Sequence, residues 1–213
     1  MNRTSKTAGG LLLLATLLAC QGAAAYQANI AADSRALYLR VGTGAMNVTG
    51  GSYNNGARPI NFTGIQSVVV NVPAGQIGNG TDLQMTGNGD LVSHLDNFLF
   101  CNPGQIYIGA FFRRPTGGGG NNNATVTANY PANLSTPAGD TIPMSQIRWV
   151  SSGNGDGAFQ PFASGSFTGS GQQVAAFGRN QWNESCLTFF YGNDQVVAAG
   201  SYTNTVTYTL SAP

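Results

Sequence analysis

Charge is scarce in this chain. Only 8% of its 213 residues are Asp, Glu, Lys or Arg, roughly a third of the usual share. Lysine occurs once, at position 6, glutamate once, at 184, and histidine once, at 94. The formal net charge of +1 excludes capture of nucleic acid or an anionic membrane by a basic surface. One histidine excludes a metal site built on a histidine pair. Past Lys6 no lysine remains for an isopeptide or sortase linkage, which excludes a covalently linked surface fibre. Helical periodicity is lacking outside the first 25 residues. No apolar run approaches the roughly 18 residues that a membrane-spanning helix requires.

The first 25 residues read as a secretory signal peptide. Arg3 and Lys6 form a basic start, Leu11–Ala19 is an apolar stretch, and Ala23–Ala25 offers small residues for cleavage. A second cut is open before Cys20, where Leu17–Cys20 resembles a lipobox and would anchor a lipoprotein; cleavage after Ala25 is favoured. Export through a periplasm to the cell surface or beyond follows. Removing residues 1–25 takes away Arg3 and Lys6 and leaves seven arginines against eight acids, a net charge of −1.

Two cysteines remain, Cys101 and Cys186. An oxidising compartment favours a disulfide between them, and two free buried thiols are the alternative.

What the sequence has in abundance is turn punctuation and β-branched runs. It holds 30 Gly and 9 Pro, with 42% hydrophobic residues, enough for a core. Alternating or β-rich runs lie at 36–41, 65–72, 105–112, 124–130, 145–150, 172–177, 186–191 and 202–210. In the last, Val206, Tyr208 and Leu210 would face the core and the threonines water. Gly, Asn, Asp and Pro clusters separate the runs. This predicts an all-β, antiparallel sandwich.

Catalytic signals are thin. No serine stands in G-x-S-x-G. His94 has no second histidine, and Asp82, Asp90 and Asp96 do not form a D-x-D-x-D-G calcium loop. Glu184 has no obvious carboxylate partner for glycoside hydrolysis. The expectation is a protein without enzymatic activity and without cofactor or metal. Trp149 and Trp182 are candidates for stacking on sugar rings, although tryptophan in a sandwich is more often core.

The C-terminal stretch Asn193–Leu210 resembles the end of archaic chaperone–usher fimbrial subunits and of the spore coat protein U domain. Their last strand has the pattern A-G-x-Y-x-x-x-V-x-V-x-L; Ala199-Gly200, Tyr202, Val206 and Leu210 match, and Tyr208 replaces the second valine. The resemblance implies an immunoglobulin-like sandwich that lacks a strand and is completed by donor-strand exchange. It implies other pilus subunits, a periplasmic chaperone and an outer-membrane usher as partners, with Val206, Tyr208 and Leu210 as the assembly strand.

Under that reading residues 26–48 are an N-terminal donor extension, carrying Leu37, Leu39 and Val41 on one face with Ile30 before them. Equally, 36–41 is the first strand of a complete fold. Residues 49–213 form the sandwich domain. Two departures leave room for a tip or associated subunit: Cys186 lies near the C-terminus rather than the N-terminus, and the chain is longer than most such subunits. The alternative function is a secreted carbohydrate-binding module or adhesin that meets a host or environmental glycan with a self-complete sandwich.

Overall fold

The computed structural model describes residues 28–43, 46–47, 58–59, 65–117 and 123–213. Sixteen strands occur among them. The first seven are short except one: β1 (Ala28–Asn29), β2 (Ala36–Val41), β3 (Met46–Asn47), β4 (Arg58–Pro59), β5 (Val68–Val69), β6 (Leu83–Gln84) and β7 (Thr86–Gly87). The middle of the chain gives β8 (Ile106–Arg113), β9 (Asn123–Asn129), β10 (Asn133–Ser135), β11 (Thr141–Pro143) and β12 (Ile147–Ser152). Last come β13 (Gly165–Ser166), β14 (Gln172–Gly178), β15 (Gln181–Tyr191) and β16 (Thr207–Ser211). The only helical turns described are single 3-10 turns at Ala74–Gln76 and Met144–Gln146.

The large sheet runs β13-β12-β15-β8-β2, and β1 and β6 also pair with the long strand β15. A second sheet, β14-β9-β16, lies across it. Every described pair of strands is antiparallel. The two sheets enclose one core, so the all-β sandwich expected from the pattern is the fold. Ile106, Ile108, Ala110 and Phe112 from β8 meet Ala124, Val126 and Ala128 from β9, with Trp149, Phe177, Leu187 and Phe189 around them. Burying one large apolar side chain of this kind contributes roughly 1.5–3 kcal/mol.

Successive residues of a strand point to opposite faces, yet β8 is buried on both. Its alternate residues Tyr107 and Phe111 lie on the outer face of the large sheet, away from the second sheet. There a loop, residues 90–101, covers them. The loop is closed by an antiparallel bridge between Val92 and Leu99 and tied down by the Cys101–Cys186 disulfide. Under it sit two smaller clusters: Ile30, Tyr38, Phe111 and Trp182, and Phe100, Cys101, Tyr107 and Cys186.

Three expectations about elements need correction, the first being that the run 202–210 forms a ladder only at Thr207–Ser211, with an isolated bridge at Thr203 before it. The β-branched run 65–72 forms ladder pairs only at Val68–Val69, with β7. Val68, Val70 and Val72 still pack on the main core, so the alternation places side chains correctly. A ladder also needs a neighbouring backbone, which most of this run lacks. The strand expected from Cys186 begins five residues earlier, at Gln181. Its polar residues Asn183 and Glu184 disguise a stretch that is buried on both faces.

Candidate functional site

β2 and β16 are the edge strands on one side of the sandwich. Among the described residues, β2 pairs only with β8 and β16 only with β9. β16 is an uncharged edge without proline, the kind of edge to which another strand can add. Val206, Tyr208 and Leu210 are half-buried against the main core, while Thr205, Thr207 and Thr209 are exposed. β2 faces it across the seam with Leu39 and Val41, also half-buried on that core. Leu37, on the same face, is 46% exposed.

At one end the seam is closed by Arg35. Its Nη2 donates to the carbonyl of Ala212 at 3.0 Å, and its guanidinium stands 6.0 Å from the centre of the Phe112 ring, near the limit of a cation–π contact. Ile30 does not continue the Leu37–Leu39–Val41 stripe. It is buried on the opposite face of the sheet, with Tyr38 and Trp182.

Neither tryptophan presents a face to solvent. Trp149 packs against Phe167 and Phe189 in the main core, and its Nε1 donates to the Ala163 carbonyl at 2.9 Å. Trp182 stacks on Tyr38, with ring centres 5.2 Å apart. Sequence reasoning offered both for sugar stacking; the fold spends both on packing. Cys101 and Cys186 form the disulfide, across a separation of 85 residues.

The structure also assembles a polar cluster that the sequence gives no reason to group. Three rows of side chains cross the outer face of β2, β8 and β15. Tyr38, Phe111 and Trp182 form one aromatic row. Arg40, Gly109 and Glu184 form the next, and Tyr107 with Cys186 lies beyond.

The covering loop brings Asp90, Ser93 and His94 down onto these rows. Tyr38 Oη and His94 Nδ1 are 2.7 Å apart, and His94 Nε2 and Asp90 Oδ2 are 2.9 Å apart. Ser93 Oγ donates to Glu184 Oε1 at 2.8 Å, and the Tyr107 hydroxyl donates to Oε2 at 2.6 Å.

Burial pushes the Glu184 carboxyl above its usual range, against the pull of the donors Tyr107, Trp182 and Ser93. Burial lowers the His94 imidazole, and Asp90 opposes that shift. The Tyr107 hydroxyl is held well above the usual phenol range, by burial first and by the Glu184 carboxylate second. Tyr38, Tyr107, His94 and Glu184 are all buried. The cluster therefore fastens the loop to the sheet. The one sequence signal was the spacing of Asp90 and His94, and nothing near either pointed to Tyr38 or Glu184.

Compared with family models, curated proteins and solved structures, the chain matches none. Among the described residues no helix is long and apolar enough to cross a membrane.

Proposed function

We propose that this chain is an exported structural subunit of a bacterial surface fimbria, assembled without covalent links by β-strand addition. The observation that carries the reading is the seam between β2 and β16. Among the described residues two strand edges along it carry no ladder partner, and half-buried apolar residues line both sides. An extended segment with alternating apolar residues gains main-chain hydrogen bonds from such an edge and side-chain burial from the core beneath.

The segment that meets this description within the chain is 36–41, which here lies on its own β8. In an assembly the same segment of a neighbour takes that place. A periplasmic chaperone and an outer-membrane usher are the partners that such a route requires.

The test uses the register. Leu39 stands opposite Ala110. The exported protein carrying Leu39→Cys and Ala110→Cys is oxidised and run on a non-reducing gel after boiling. Strand exchange gives a covalent ladder that reductant collapses. A monomer alone, with no filament in the sheared surface fraction, overturns the reading.

A further inference from the structure

Among the described residues, the charges at the two ends of the sandwich are of opposite sign. The register defines the ends. β8 finishes where β2 and β15 begin: Ala36 stands opposite Arg113, and Trp182 opposite Phe111. The turn after β14 joins the same end, because the Asn180 amide donates to the Phe112 carbonyl at 2.7 Å and Arg179 donates to the carbonyls of Pro115 and Thr116. Arg35, reaching Ala212, closes it. This end therefore carries Arg35, Arg113, Arg114 and Arg179 against one acid, Asp33. Arg113 is buried, which leaves three arginines at the surface.

The opposite end is where β15 finishes and β12 begins, with Tyr191 opposite Ile147. Gly192 and Asp194 bond to Gln146, and Leu83 of β6 stands opposite Tyr191. The hairpin of β10 and β11, with Asp140 in its turn, leads into this end. It carries Asp82, Asp140 and Asp194, all exposed, against one arginine, Arg148, which is paired with Asp82. Among these acids stands Val196, at 84% exposure the most open large apolar side chain described. Arg40, Asp90, Asp96, Asp156 and Glu184 lie between the two ends, and Arg58, in β4, is counted with neither. The eleven residues of β15 span roughly 35 Å at the usual rise of a strand. That is several screening lengths at physiological salt, so the ends act as separate patches of opposite sign.

We propose that copies of this chain associate head to tail, the arginine end of one seated on the aspartate end of the next. The occupant is a second copy because the two patches are complementary and face opposite ways along one axis. A heterologous contact of that kind repeats without closing and gives a linear array. Complementary fields of this size set orientation and encounter rate, and salt weakens them. The proposal deepens the filament reading by naming the faces that meet.

The test is sedimentation of the exported, oxidised protein. Wild-type protein should show a mass that rises with concentration at about 20 mM salt and returns to the monomer at about 500 mM. Arg114→Asp with Arg179→Asp, and separately Asp140→Arg with Asp194→Arg, should each weaken association about tenfold or more by setting like charges together. An equimolar mixture of the two variants should restore it, because each then offers the charge that the other lacks. Wild-type protein that stays monomeric to about 1 mM at low salt, or association indifferent to salt and to both reversals, overturns the proposal. The wild-type salt series involves no substitution, so a misfolded variant cannot rescue or sink the idea. Salt-dependent association without a strand-exchange ladder would defeat the fimbrial reading and leave this one standing. A ladder that ignores the reversals would do the opposite.

Discussion

The hydroxyl of Tyr107 donates to Glu184 Oε2 at 2.6 Å, and the Tyr107 ring lies over Gly109, the residue opposite Glu184 in the sheet. A side-chain carbon at position 109 would collide with that hydroxyl. Gly109→Ala should therefore displace Tyr107 and strip Glu184 of its shortest hydrogen bond. Overpacking of this kind costs about 1–3 kcal/mol. Urea denaturation should show the loss, and Gly109→Ala with Tyr107→Phe, which removes the colliding oxygen, should recover part of it.

The two buried titrating groups give stability a predictable pH dependence. Glu184 has a folded pKa raised above its ordinary 4.5. Its contribution is complete below that value and is lost as pH rises through the folded pKa. His94 has a folded pKa below its ordinary 6.5, so its contribution is complete above 6.5 and is lost as pH falls toward the folded value. Glu184→Gln should flatten the loss on raising pH above 4.5, and His94→Gln the loss on lowering pH below 6.5. Melting temperatures across pH 4 to 8 would test both; variants that track the wild type at every pH would refute the assignment.

Reduction should loosen the cover over the large sheet. The Cys101–Cys186 bond closes 85 residues of chain, for which chain entropy alone gives about 4–5 kcal/mol. Paired Cys101→Ser and Cys186→Ser should lower the unfolding free energy by that order, read from the shift of the denaturation midpoint. Hydrogen exchange should rise first in residues 90–101, before the strands of the main core.

The tryptophans should report packing rather than ligand. Trp182→Ala removes one ring of the cluster it forms with Tyr38 and Phe111 and should cost about 3–5 kcal/mol. Native fluorescence should be blue-shifted and should stay unchanged on addition of oligosaccharides. A red-shifted native spectrum quenched by a sugar would contradict the burial of both indoles.

Much of the architecture was legible because sandwiches write themselves as alternation. Val206, Tyr208 and Leu210 read inward and their threonine neighbours outward, and so they stand. The pairing of Cys101 with Cys186 followed from parity. The polar cluster did not, because its members arrive from four separate stretches of chain and meet only through the register of β2, β8 and β15. A local rule can find Asp90 beside His94, four residues apart. It cannot find Tyr38, which is 56 residues away. Glu184 was left outside the expected strand for a different reason. A charged residue inside a strand reads as solvent-facing unless the reader knows that a loop returns to cover it.

Position in time matters as well as position in space. Synthesis proceeds from the N-terminus, so Cys101 is made before Cys186. Its partner at 101 must wait while 84 further residues are made. The bond that clasps the cover to the sheet thus cannot form until the long strand β15 has been made to its middle. Until then Cys101 lacks its partner, and the outer face of the large sheet has no covalent keeper. A catalyst that oxidises Cys101 before residue 186 is made has no correct partner to offer it.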